Sequence, residues 1–124
     1  MIKDDIIENA IVNDNPIKEK SKRFALRVIR LYRFLCDERH EFVLSRQVLR
    51  SGTSIGANVR ESQRAQSRAD FFSKLNIALK EAEETSYWLE LLFESGTIGR
   101  TAFESMYFDC LELIRLLTAI TKTQ

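Results

Sequence analysis

The residues best suited to chemistry in this chain are five arginines, Arg46, Arg50, Arg60, Arg64 and Arg68. A guanidinium is planar, permanently charged and carries a fork of donors that matches two phosphate oxygens. At 100° per residue, Arg46, Arg50, Arg60 and Arg64 fall within about 40° of one direction on a helix. Such a stripe reads as a strip for RNA or DNA backbone. It also reads as a solvated face, with Glu61 and Asp70 near enough in sequence to neutralise part of it. No helix-turn-helix or aromatic stacking platform accompanies it, so reading of base sequence is not expected.

Other chemistries lack their parts. His40 is the single histidine and sits in a turn beside Glu38, Arg39 and Glu41. It reads as a solvated loop residue, and no Ser/His/Asp arrangement can be drawn around it. Carboxylate-bridged metals in helical bundles need Glu-x-x-His pairs. Glu81, Glu83, Glu84 and Glu90 have no such histidine and read as an acidic surface. The segment Gly52-Thr-Ser-Ile-Gly56 lacks the lysine and spacing of a phosphate-binding loop. Cys36 and Cys110 fall on apolar helix positions without zinc-like spacing, as expected of buried reduced thiols in a cytoplasmic protein. The sequence therefore predicts no catalytic residue, no metal and no cofactor.

These side chains must be positioned by helices. At 124 residues, the size suits one domain with a real core. Hydrophobic residues make up 44% and charged residues 30%, and one proline and four glycines leave little room for loops. Net charge is +1, so any case for nucleic acid rests on where the charges sit. The opening Met1-Ile-Lys-Asp-Asp-Ile-Ile-Glu8 is too acidic for a signal peptide. No uncharged apolar run approaches the roughly 20 residues of a membrane span. Residues 1–15, closed by the turn-like Asn13-Asp-Asn-Pro16, read as a flexible arm ahead of a bundle domain over 16–124. Alternatively, Ile2, Ile6, Ile7 and Ile11 could form a short docking helix.

Apolar periodicity predicts helices over about 16–39, 43–66, 67–94 and 100–122. Phe24, Val28, Leu31, Tyr32, Leu35 and Cys36 share the first inner face. Leu44, Val48, Ile55 and Val59 mark the second. Phe71, Leu75, Ala78, Ala82, Leu89 and Phe93 line the third, and Phe103, Met106, Cys110, Leu113, Ile114, Leu117 and Ile120 the fourth. Ser67 with Asp70 resembles a capping box, and Gly96 is a stop signal. Long helices with short connections predict an all-α, antiparallel up-down-up-down four-helix bundle.

Two features go beyond a plain bundle. Glycine inside a helix costs about 1 kcal/mol relative to alanine, so Gly52 and Gly56 are expected to serve close helix packing. The third helix carries a second apolar stripe, Ile77, Trp88, Leu91 and Leu92, which suggests an oligomer interface. Leu26, Phe34 and Phe108 are similar surplus.

The octet Ser51-Gly-Thr-Ser-Ile-Gly-Ala-Asn58 lies between Leu44-Ser-Arg-Gln47 and the later Lys80-Glu-Ala-Glu-Glu-Thr85 and Tyr87-Trp-Leu-Glu90. Over about residues 17–122 it resembles the four-helix-bundle proteins encoded in intervening sequences of bacterial 23S rRNA genes. That family is related to the accessory variability proteins of diversity-generating retroelements. The resemblance implies a homopentameric ring with a central opening and action on nucleic acid through basic surfaces. The leading expectation is a non-catalytic accessory that binds RNA or DNA backbones. The alternative is a scaffold that recruits a protein partner, such as a reverse transcriptase or a nuclease.

Overall fold

The computed structural model describes residues 16–124. The arm expected over residues 1–15 lies outside them. Among the described residues there are four helices and no strand. They are α1 (Ile17–Arg39), α2 (Leu44–Ser62), α3 (Arg68–Glu94) and α4 (Arg100–Thr121).

The buried positions follow a strict heptad. In α3 they are Phe71, Leu75, Ala78, Ala82, Thr85, Leu89 and Leu92, joined by Phe72. Steps of four and three alternate along the whole helix, a period of 3.5 residues. The same rhythm runs through Ile17, Ser21, Phe24, Val28, Leu31 and Leu35 in α1. It recurs in Ser45, Val48, Gly52, Ile55, Val59 and Ser62 of α2, joined by Ser51, and in Met106, Cys110, Leu113, Leu117 and Ile120 of α4. A period of 3.5 slips about 20° per heptad against an ideal helix.

That slip corrects one expectation. Leu92 is not on an outer stripe; it is fully buried in the core of the single chain. A 100° projection from Phe71 sets Leu92 about 60° away, at the edge of the inner face beside the outer stripe, whereas the heptad keeps it within that face.

Contacts between helices pair early residues of one with late residues of the next. Ser21 lies against Gly56, Val28 against Gly52 and Cys36 against Ser45. Arg50 meets Glu81 and Glu84, and Lys74 meets Glu61. Cys110 Sγ lies 3.2 Å from the Ala82 carbonyl, and the rings of Phe93 and Phe103 stack at 4.5 Å. Lys20 pairs with Glu112 at 2.7 Å, and Arg27 pairs with Asp109, joining α1 to α4.

The helix ends are set by local chemistry. His40 takes a left-handed conformation (φ 51°), and the Glu41 amide donates to the Leu35 carbonyl at 2.9 Å, closing α1. The Glu41 carboxylate then accepts from the amides of Val43, Leu44 and Ser45, so it caps the start of α2. Ser67 Oγ accepts from the Asp70 amide at 3.1 Å, as the capping pattern predicts, whereas the Asp70 carboxylate reaches one residue further back and accepts from the Gln66 amide. Gly96, at φ 80°, follows the end of α3 as its stop signal implies. α4 starts at Arg100 without a side-chain cap. Helix α2 is shorter than the periodicity suggests. After Ser62 the amides of Arg64 and Ala65 bond three residues back, to Glu61 and Ser62, so the helix tightens into a turn.

Candidate anion-binding surface

The structure divides the arginine stripe. Arg50 is engaged: its guanidinium lies 3.2 Å from Glu81 and 2.5 Å from Glu84, and it also bonds Gln47. Arg68 stacks its guanidinium 4.9 Å from the centre of the Phe72 ring and donates to the Thr123 carbonyl. Arg46, Arg60 and Arg64 are exposed. They make no ion pair among the described residues.

Arg46 stands near the start of α2, about 21 Å along the axis from Arg60 at the usual rise per residue. Arg60 and Arg64 line an open polar groove at the far end of α2, with Glu61, Gln66, Asp70 and Lys74. Two of these charges are already committed. Lys74 pairs with Glu61 at 3.5 Å, and Asp70 caps α3. The groove therefore offers two unpaired guanidinium groups to an incoming anion.

A second basic surface lies on α1. Arg23, Arg30 and Arg33 are exposed and form no ion pair among the described residues. The sequence pattern places them on the polar face of α1 without a role. What signals one is that Arg27 and Lys20, on the same helix, are matched by Asp109 and Glu112, whereas these three are not.

Beneath the stripe, Gly52 does what its position implies. A Cβ there would come within 2.7 Å of Val28 Cγ2 and 2.9 Å of Cγ1. At Gly56 a Cβ would meet Ser21 at 3.4 Å, ordinary contact. The tight approach is therefore at Gly52. Next to it, the hydroxyls of Ser51 and Thr85 meet at 2.7 Å, a buried polar link between α2 and α3 below the Arg50 ion pairs.

The outer stripe of α3 is partly as expected. Ile77 is exposed, while Trp88 and Leu91 are half-buried. The Trp88 indole N–H is buried with no acceptor among the described residues. Tyr87, not singled out by periodicity, is more than half exposed and packs 5.3 Å from Trp88. Leu26, Phe34 and Phe108 are exposed, as the surplus implied.

The titratable groups with shifted pKa values are poor reagents. Burial pushes the Cys110 thiol up to about 12. Donation to Glu90 at 2.8 Å, aided by burial, pushes Tyr107 up to about 12. Cys36 is half-buried, and both thiols are free. Among the described residues no group of three His, Cys, Asp or Glu could hold a metal, and no helix is long and apolar enough to cross a membrane.

Comparison with known proteins agrees with the resemblance read from the octet. A family model described as 23S rRNA-intervening sequence protein matches residues 13–119. The chain is also similar to a crystal structure at 1.70 Å resolution of a protein of unknown function, from the S23 ribosomal protein family of Bacteroides thetaiotaomicron VPI-5482. The two are 56% identical with a TM-score of 0.86, over 90% of this chain and 98% of that one. No curated protein matches.

Proposed function

The chain belongs to the 23S rRNA-intervening sequence protein family, and on that premise we propose that it is a cytoplasmic, non-catalytic accessory protein that binds RNA or DNA backbone electrostatically. The contacts are made by Arg46, Arg60 and Arg64, with Arg50 and Arg68 beside them on the surface, held by Glu81, Glu84 and the Phe72 ring. The observation that carries this reading is the exposure of three guanidinium groups along α2 and its closing turn without a carboxylate partner among the described residues. A solvated ion-pair face would pair them, as Arg50 is paired. Phosphate is the anion whose geometry their forks fit.

The reversed order of contacts between successive helices favours an up-down-up-down bundle. Assembly into a homopentameric ring, which the family resemblance implies, would repeat each free arginine around the ring and concentrate the field. Two outward faces would meet in such a ring, one mainly basic despite Asp37 and the other mainly acidic despite Lys80. On α1, Leu26 and Phe34 stand among Arg23, Arg30 and Arg33; on α3, Ile77 and Tyr87 stand among Glu83 and Glu94. A contact between two different faces of identical chains closes into a ring when its rotation allows.

The exposed apolar residues also favour a second reading, a scaffold whose ring faces recruit a protein such as a reverse transcriptase, without direct nucleic-acid contact. Binding of structured RNA and duplex DNA across a salt series decides between them, with an Arg60→Gln/Arg64→Gln double variant as the control.

A further inference from the structure

A groove of about 420 Å³ runs between the first turns of α1 and the last turns of α2. Its floor is small and apolar, made of Ala25, Gly56 and Ala57 with the buried Val59. The hydroxyls that line it are already engaged. Ser21 donates to the Lys18 carbonyl at 3.2 Å, and Thr53 donates to the Leu49 carbonyl at 2.7 Å. Its rim is basic. Lys18 and Lys22 are exposed, lie one helical turn apart on α1 and form no ion pair among the described residues. Arg60 stands opposite them on α2. Glu61 also lines the groove, and its carboxylate pairs with Lys74 at 3.5 Å.

This groove adjoins the polar groove of Arg60 and Arg64, because Arg60 and Glu61 line both. A chain of phosphates that meets Arg64 and Arg60 therefore passes on to Lys22 and Lys18, and crosses the apolar floor on the way. A duplex has no use for that floor, since its base faces are stacked inside. An unpaired strand presents a charged backbone together with flat base faces that are free to leave the stack. A basic channel that tracks the backbone beside a surface for the bases is the general form of a single-strand site. The volume also suits, falling within the roughly 300–1,000 Å³ of sites that hold small organic groups. Glycine and alanine keep it open where larger side chains would fill it.

We propose that the groove takes unpaired bases of single-stranded RNA or DNA against Ala25, Gly56 and Ala57, while the flanking phosphates meet Arg60 on one wall and Lys18 and Lys22 on the other. This rests on the electrostatic binding proposed above, and adds to it contacts with the bases and two phosphate contacts on α1. Seating a base face on the floor removes apolar surface from water. No aromatic ring lines the groove among the described residues, and its hydroxyl protons are committed. A base is therefore held by contact and burial rather than read by its edge, and binding is indifferent to sequence.

The test measures binding of the full chain to two labelled single strands of about 12 units. One is made of thymidines, and the other carries the same phosphates on abasic tetrahydrofuran units. Fluorescence anisotropy at low salt is expected to show the thymidine strand bound several-fold more tightly. Ala57→Leu fills the floor from an exposed helical position, and should remove that advantage without changing the salt slope. Lys18→Gln/Lys22→Gln should weaken binding of both strands and flatten the slope. A strand carrying photoactivatable thiothymidine should crosslink to the groove walls, within residues 18–25 and 53–61. Equal affinity of the wild type for the two strands, or crosslinks on neither wall, would overturn the base contacts and leave the electrostatic binding standing. Absence of binding to either strand at low salt would overturn the electrostatic binding and this inference with it.

Discussion

Cys110 and Cys36 show how the bundle treats a reactive group. Cys110 is fully buried against the Ala82 carbonyl, and burial holds its pKa at about 12 against the ordinary value of 9.0. A raised thiol pKa means that folding favours the protonated form. The associated stability is present below the unfolded value and is lost as pH rises from about 9 toward 12. At neutral pH a thiol reagent is expected to modify Cys36, which is half-buried, and to spare Cys110 until the protein unfolds. Peptide mapping after brief alkylation checks this, and equal labelling of both would contradict the burial. The arginines were legible as a type and a spacing, but their partners were not. Arg50 is met by glutamates more than 30 residues away in sequence, and only the fold brings them together. His40 ends α1 through its left-handed backbone, a role its side-chain chemistry does not advertise.

Among the elements, α2 is the most constrained. Val28 is buried and β-branched, so its methyls cannot swing away from a new Cβ at residue 52 without leaving their rotamer. Gly52→Ala is therefore expected to destabilise by about 1–2 kcal/mol, overpacking outweighing the gain in helix propensity. Gly56→Ala meets only ordinary contact at Ser21 and is expected to be neutral or to stabilise by up to about 1 kcal/mol. Urea or thermal melts of the two variants separate them; equal effects would remove the special role of Gly52. All four helices were legible from periodicity, and so were most core residues. What escaped were Ser21, Ser45, Ser51, Ser62 and Thr85, polar residues in the core, the apolar Ile17, Phe72 and Ile98, and Leu92, which a 3.6-residue projection sets at the edge of the inner face. The end of α2 escaped because Gln63, Arg64 and Gln66 continue the polar pattern while the amides of Gln63, Arg64 and Ala65 bond three residues back.

At the scale of the whole molecule, one chain leaves apolar side chains without cover. Tyr87 is 53% and Phe108 65% exposed, and Leu26 and Ile77 are each more than 40% exposed. If the α1 and α3 faces join in a ring, Ile77→Glu or Tyr87→Glu should shift the assembly toward monomer, because an unpaired buried charge is costly. Light scattering across protein concentration reads this directly. A wild-type protein that stays monomeric at high concentration would remove the ring and its field-concentrating effect. The family and the helical architecture could be read from the octet and its flanking motifs. Which charges remain free could not, since that depends on contacts between helices.

The central claim is electrostatic binding of nucleic-acid backbone through Arg46, Arg60 and Arg64, and a salt titration of binding to structured RNA and duplex DNA tests it most directly. Affinity should fall linearly on a log–log plot, with a slope of about 0.7–0.9 per phosphate neutralised. Arg60→Gln/Arg64→Gln should weaken binding to every sequence alike and flatten the slope. Arg50→Gln should change the slope little, because Glu81 and Glu84 already match that charge. Absence of binding at low salt, or a slope unchanged in a folded Arg60→Gln/Arg64→Gln variant, would contradict the account and favour the protein scaffold.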